Sequence, residues 1–358
     1  MDSQIVARVR GVAGGPILRA LVRTPFVRTR LARRRSQPVE GEVVDEELAA
    51  VLRLDDLLGQ SEHRGLTPAQ ARLQIGELIR LCEAPVPEGV TAHDEHVPGP
   101  AGPIPVRCYA PAGLPSPSPG MVFFHGGGWV TGDLVTHDHL CRRIAGEARL
   151  RVIAVDYRLA PEHPFPAGVE DAVAAFGFVA RRAERFGIDA ARLGVAGDSA
   201  GGNLAAVVAR RTRGDAVTPA VVALVYPGLD LTRSSASHRT FGERYFLTSQ
   251  MIEWYLDHYL GTDRASQRHI DASPLLAEDH GGMLGIHLIT VAHFDPLRDE
   301  GEAYARKLAS AGARVKLVRL PTMIHGFAVI GGASPAALAA TETLIGDIGA
   351  ALRGELSG

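Results

Sequence analysis

Between Met121 and Tyr226 the chain alternates short, wholly apolar runs with longer stretches whose apolar residues recur every three or four positions. The runs 121–124, 152–155, 193–196 and 221–226 read as strands. The spacing over 137–148 (Leu140, Cys141, Ile144, Ala148), 169–185 and 204–211 reads as helices. Strands this apolar have no side left for water, so they belong to a parallel sheet buried on both faces, with the helices as its crossovers. The alternation lapses after Pro227 and resumes near Ile286. Within the gap Met251, Ile252, Tyr255, Leu256 and Tyr259 share one helical face, which predicts an insertion above the sheet. A strand at 286–291, a helix at 301–311, a strand at 315–320 and a helix at 335–352 complete the pattern.

Upstream, residues 42–83 are helix formers with apolar positions at Leu48, Val51, Leu52, Leu73, Leu78 and Ile79. Gly65 splits them, and Pro68 suits a first helical turn, so two helices are expected. Prolines recur at 87, 98, 100, 103, 105, 111, 115 and 117. Proline cannot donate to a central ladder, which confines strands here to a sheet edge. A compact domain therefore starts near residue 90, and no internal repeat is visible.

Composition narrows the class. With 46% hydrophobic and 22% charged residues and a net charge of −2 over 358 residues, polyelectrolyte and low-complexity chains are excluded. Thirty-six of the 38 basic residues are arginine, a bias expected of a GC-rich, bacterial genome. The near-neutral total hides an asymmetry: residues 1–39 hold nine arginines against one acid, net +8, whereas the remainder carries −10. Arginines interrupt each apolar patch of this arm, so no cleavable signal peptide is expected. The longest uncharged stretch, 320–341, contains Pro321, His325, Gly331, Gly332 and Pro335 and cannot run as a membrane-spanning helix. Three widely spaced cysteines, Cys82, Cys108 and Cys141, make no disulfide framework and fit a reducing, cytoplasmic compartment.

Candidate chemistry lies at the predicted strand ends. Gly197-Asp198-Ser199-Ala200-Gly201 has the G-x-S-x-G form between an apolar run and a helix, where small flanking residues permit a turn tight enough to expose a serine hydroxyl. His125-Gly126-Gly127-Gly128 follows the first central strand. Backbone N–H groups of Gly127, Gly128 and Ala200 can there face an oxyanion without obstruction by side chains. The rival reading, a phosphate loop, is weak, because neither G-x-G-x-x-G nor a glycine-lysine pair follows. A nucleophilic serine needs a base and an orienting carboxylate, and on this topology they follow it in the order acid, base. Asp295, just past the 286–291 strand, and His325, after the last strand, comply; Asp230 is the rival acid. Several other residues read as bland. His93 and His96 fall on opposite faces of a strand, and His137 and His139 do not converge, so no metal is expected. Asp156, Arg158 and Glu162 read as loop-tying ion pairs. Trp129 and Trp254 are candidate substrate contacts, though core packing explains them equally.

Taken together, the glycine triplet, Asp156-Tyr157-Arg158-Leu159-Ala160-Pro161-Glu162, Gly197-Asp198-Ser199-Ala200-Gly201-Gly202, Asp295-Pro296-Leu297-Arg298-Asp299 and His325-Gly326-Phe327 resemble the hormone-sensitive-lipase-like family of α/β-hydrolases, the family IV bacterial esterases, over about residues 90–350. The resemblance implies an α/β-hydrolase fold, a mostly parallel central sheet with helices on both faces and a helical cap. It also implies a serine carboxylesterase for short- to medium-chain esters that needs no cofactor. It puts Ser199, Asp295 and His325 on the triad, Gly127, Gly128 and Ala200 on the oxyanion hole, and the cap on 41–85 and 229–270. The expected organisation is a basic arm at 1–40, cap helices at 41–85 and a catalytic domain at 86–358. His293 falls where the family commonly has glycine or glutamate, and it reads as a surface or packing residue.

Two other classes remain open. A non-catalytic ligand receptor on the same fold, such as the plant gibberellin receptors, lacks the histidine that His325 supplies here. An adaptor driven by the arm is the second. With Phe26 as its sole aromatic, the arm is poorly equipped to stack on bases, so no nucleic-acid partner is expected. Its arginines and interleaved apolar residues suit peripheral contact with an anionic membrane, or else packing on the acidic body as extra cap or as a homodimer contact.

Overall fold

The computed structural model of the chain describes residues 24–33, 37–58 and 65–356. Among the described residues three helices come first: α1 (Pro25–Ala32), α2 (Glu46–Leu58) and α3 (Pro68–Cys82). Helix α3 begins where two orphan donors are met reciprocally. Thr67 accepts the Gln70 N–H, the Gln70 side chain accepts the Thr67 N–H, and Pro68 fills the first position, whose N–H would go unused. Then follow β1 (Val90–Gly99), β2 (Gly102–Pro111), β3 (Ser118–Phe124), α4 (Asp138–Ala148), β4 (Arg151–Val155), α5 (Ala167–Arg181), β5 (Ile188–Asp198), α6 (Ala200–Arg211) and β6 (Val221–Val225). The expected insertion holds α7 (Ala236–Phe241) and α8 (Ser249–Leu260), after which β7 (Ile286–Phe294), α9 (Arg298–Ser310), β8 (Arg314–Ile324) and α10 (Pro335–Leu352) close the chain.

The eight strands form a single sheet in the order β1-β2-β4-β3-β5-β6-β7-β8. The pairs β1–β2 and β2–β4 are antiparallel, and the rest of the ladder is parallel. The proline-rich strands thus occupy one margin, as their missing donors demand. Strand residues alternate between two cores, one on each face. Val122, Phe124, Val195, Val222 and Leu224 pack with α5 and α6, whereas Met121, Phe123, Ala196, Val221 and Ala223 pack with α4 and α10.

Differences from the sequence reading are local. Helix α5 stops at Arg181, and a short 3₁₀ turn, Ala183–Phe186, completes the predicted 169–185 stretch. Strand β5 starts five residues before the apolar run, because Ile188 pairs with Ser118 ahead of a register irregularity. Strand β8 runs on to Ile324 past Pro321, which the sheet margin tolerates. Near its end Ala292 pairs with Leu320 but Phe294 pairs with Ile324, so two extra residues bulge out of β8. Of the basic arm, α1 packs beside α2, with Arg28 bonded to Glu46 and Glu47 at 3.2 and 2.6 Å. Residues 1–23 and 34–36 of the arm lie outside the described residues. Among the described residues no helix is long and apolar enough to cross a membrane.

Candidate active site

Strand β5 ends at Asp198 and α6 starts at Ala200, so Ser199 alone makes the corner between them. Its backbone is forced to φ 53° and ψ −117°, a region a serine occupies only when its surroundings impose it. The Val225 carbonyl of β6 accepts the Ser199 N–H at 2.9 Å. Behind the corner, a Cβ on Gly201 would collide with the carbonyl of Phe124, which explains why the motif needs a glycine there.

Asp295 and His325 each follow a strand end whose last residues are paired, Phe294 with Ile324. They therefore emerge side by side. Ser199 donates from Oγ to His325 Nε2 at 2.9 Å, and His325 donates from Nδ1 to Asp295 Oδ2 at 2.8 Å. The second Asp295 oxygen accepts the Leu297 N–H at 2.8 Å, which fixes the carboxylate in a fully buried position. Asp230, the rival acid, caps its own turn through Thr232 and Ser234 at 2.6 Å each. Geometrically, the serine proton can pass to His325 while the imidazolium so formed faces a fixed carboxylate.

The oxyanion loop turns on its own carbonyl, the Val130 and Thr131 N–H groups both reaching Gly127 O at 3.1 and 2.8 Å. Among the described residues, the N–H groups of Gly127, Gly128 and Ala200 have no partner. All three residues line the same cavity as Ser199 and His325. Gly128 sits at φ 59°, and a Cβ there would run into the Tyr255 ring of α8. The loop and the insertion are therefore in direct contact.

Beneath the loop lies a buried polar cluster that no sequence motif announces. The Gly126 N–H donates to Asp198 Oδ1 at 2.8 Å, His137 Nε2 stands 3.2 Å from the same oxygen, and the Tyr226 hydroxyl donates to Oδ2 at 3.4 Å. Burial pushes the Asp198 carboxyl up, but His137 and the Gly126 N–H outweigh it and hold the group below its ordinary value. His125 is stacked on Tyr157 at 4.4 Å and donates from Nδ1 to the Gly126 carbonyl at 2.8 Å. Burial, reinforced by His137, pushes its pKa down to about 4, so it is neutral in the working range. His137 had been dismissed as a metal ligand. Its partner is 61 residues away in sequence, and no local pattern announces it. Glu300 is a second buried carboxyl: it accepts the Leu229 N–H at 2.8 Å, and burial raises its pKa to about 7 despite His238 at 3.4 Å.

The cavity over Ser199 measures about 100 Å³ and is walled by apolar side chains from both expected cap segments, Ile75 and Ile79 on α3 and Met251, Ile252 and Leu256 on α8 among them. Trp129 lines it and stacks on Tyr259 at 4.4 Å. Trp254 is not on its wall and packs against His258 at 4.3 Å. Of the expected loop ties, Arg158 pairs with Asp171 at 2.8 Å and Glu162 with Arg72 at 2.6 Å, whereas Asp156 forms no ion pair among the described residues, and burial raises its pKa to about 6. His293 is buried, donating from Nε2 to the Val39 carbonyl at 3.1 Å and accepting from Arg319 at 2.6 Å.

A family profile described as alpha/beta hydrolase fold matches residues 121–329. The chain is 42% identical over 334 residues to the carboxylic ester hydrolase LipN of Mycobacterium tuberculosis, covering 90% of this chain and 86% of that one. It is 35% identical over 309 residues to the ethyl acetate hydrolase of Pseudomonas putida, covering 80% and 93% respectively. A solved ester-hydrolase, EH1AB1 from the metagenome of Lake Arreo, complexed with a derivative of bipyridine phosphonate, superposes with a TM-score of 0.82 at 39% identity, over 86% of this chain and 99% of that one.

Proposed function

The chain belongs to the hormone-sensitive-lipase-like family of α/β-hydrolases and is a serine carboxylesterase, and from that premise we propose that Ser199, His325 and Asp295 are its triad and that it favours short- to medium-chain esters. The carrying observation is the unbroken relay from Ser199 Oγ through His325 to Asp295, with bonds of 2.9 and 2.8 Å. Ser199 attacks the ester carbonyl as His325 takes its proton. The N–H groups of Gly127, Gly128 and Ala200 receive the developing oxyanion, each donor contributing roughly 3–4 kcal/mol in comparable sites. His325 then protonates the leaving alcohol, and water repeats the sequence on the acyl-enzyme, with Asp295 facing the imidazolium throughout. The small apolar cavity of about 100 Å³ over Ser199 supports the preference for short acyl chains.

In this reading residues 41–85 and 229–270 form the cap, and 86–358 with that insertion form the catalytic domain; the cavity walls on α3 and α8 support it. Three buried, unbridged cysteines support a cytoplasmic setting. For residues 24–33 the Arg28 ion pairs favour docking of the arm on the body over a bilayer or a dimer contact. Sedimentation with anionic vesicles at low salt tests this: salt-sensitive binding lost on removal of residues 1–23 would assign that stretch to a membrane.

Kinetics of four variants test the site. Ser199→Ala and His325→Ala should each lower kcat on a short aryl ester by roughly 10⁴-fold or more with the fold intact, and Asp295→Asn should cost far more than Asp230→Asn. Retention of activity within tenfold in either of the first two would overturn the assignment.

A further inference from the structure

Arg72 projects from α3, where it shares a face with Ile75 and Ile79 at spacings of three and seven residues. Its guanidinium uses all three nitrogens. Nε donates to the Val130 carbonyl at 2.8 Å, Nη2 to the Ala160 carbonyl at 3.0 Å, and Nη1 and Nη2 grip both Glu162 oxygens at 2.8 and 2.6 Å. Val130 belongs to the turn that closes on Gly127, and Ala160 in turn donates to the Trp129 carbonyl at 2.9 Å. One side chain of the cap segment thus spans the oxyanion loop and the loop that follows β4. Glu162 is mostly exposed, and an ordinary surface ion pair contributes little. The two carbonyl bonds, in contrast, need the planar fork of an arginine. Ile75 and Ile79, one and two turns further along, are cavity walls, so the position of α3 sets how far the cavity extends.

We propose that Arg72 is the positioning residue that sets the length limit of the ester. It locks α3 onto the oxyanion loop, holds Ile75 and Ile79 as a fixed end wall and so excludes long acyl chains. This inference rests on the esterase reading and deepens it. With Arg72 in place the wall cannot retreat without breaking four hydrogen bonds at once. Without it, α3 keeps its own cap at Thr67 and its apolar face, and can swing outward as a unit.

The test is a chain-length profile of the full chain with acetyl, butyryl, octanoyl and lauroyl esters of one phenol. In Arg72→Ala the ratio of kcat/KM for the octanoyl over the butyryl ester should rise at least about tenfold, as a relaxed wall admits more methylenes. KM for the butyryl ester should rise while kcat falls by no more than about fivefold, because the triad is untouched. Arg72→Lys, which keeps a charge opposite Glu162 but lacks the fork, should fall between the two. A loss of general stability alone would not move the ratio. An unchanged ratio in folded Arg72→Ala overturns the proposal, and so does a shift in an Ile75→Ala control that Arg72→Ala does not reproduce. Should Arg72→Ala fail to fold, Arg72→Met takes its place: it keeps the aliphatic stem but loses both carbonyl bonds, and a shift in the same direction supports the clamp, whereas none refutes it. Wild-type turnover that survives Ser199→Ala would instead sink the esterase reading itself.

Discussion

Replacing Gly128 by alanine tests how the oxyanion loop and the cap are fitted together. The residue lies at φ 59°, and the new methyl would occupy the space of the Tyr255 ring. Holding an alanine in the left-handed region costs roughly 1–2 kcal/mol, and forcing an extra methyl into a packed contact costs roughly 1–3 kcal/mol more. If the loop yields, the Gly128 N–H turns away from the oxyanion, a loss of roughly 3–4 kcal/mol. Either route gives about 2–5 kcal/mol, and a fall in kcat of roughly 30- to 5,000-fold is expected. The obstacle is identifiable. In a Tyr255→Ala background the ring is gone, only the backbone strain remains, and the same glycine substitution should cost roughly 5–30-fold. The assay is kcat on an aryl acetate for the four corners of this cycle, with folded protein quantified by circular dichroism. A Gly128→Ala enzyme within threefold of wild type would show that this N–H carries no oxyanion. An equal penalty in both backgrounds would show that Tyr255 is not what the methyl meets.

Two further outcomes follow from the buried carboxyls. Burial holds Glu300 at about 7, above its ordinary 4.5, so the folded protein binds more protons than the unfolded chain between those values and its stability falls as pH rises through that window. Glu300→Gln removes the titration while keeping an acceptor for the Leu229 N–H; its melting temperature should gain on wild type at pH 8 and not at pH 4.5, and a pH-independent difference would refute the assignment. Asp198→Asn leaves an acceptor for the Gly126 N–H but removes the charge beside His137, and is expected to lose roughly 1–3 kcal/mol of stability together with a drop in kcat at unchanged KM. Chemical denaturation and steady-state kinetics check it, and an effect on KM alone would remove the cluster from the oxyanion loop's support.

The central sheet was legible because its strands are buried on both sides and therefore unmistakably apolar, and α10 runs over the expected 335–352, its first turn capped by Ser334. The extents of the proline-rich strands at the other margin were not. Strand β1, Val-Thr-Ala-His-Asp-Glu-His-Val-Pro-Gly, is largely exposed and carries no apolar run, so its extent follows from pairing with β2 and not from its own composition. The proposed triad was readable because each member follows a strand in a short motif. Arg72 and His137 were not, since what gives each of them meaning is a partner 90 or 61 residues away, and a helical arginine or a histidine near a helix start has no signature of its own.

The pairing of Phe294 with Ile324 makes the sheet itself the ruler for the acid–base distance. Neighbouring parallel strands are held about 4.8 Å apart by their ladder, and Asp295 and His325 step off that ladder at the same rung. Their spacing is then a property of the sheet ladder, while the proposed cap segments hang from it on separate stretches of chain. Selectivity can drift in such a protein, by changes in α3 or α8, without the proton relay having to be rebuilt each time. Grafting cap segments between relatives should accordingly transfer preference and leave the relay's geometry where it was.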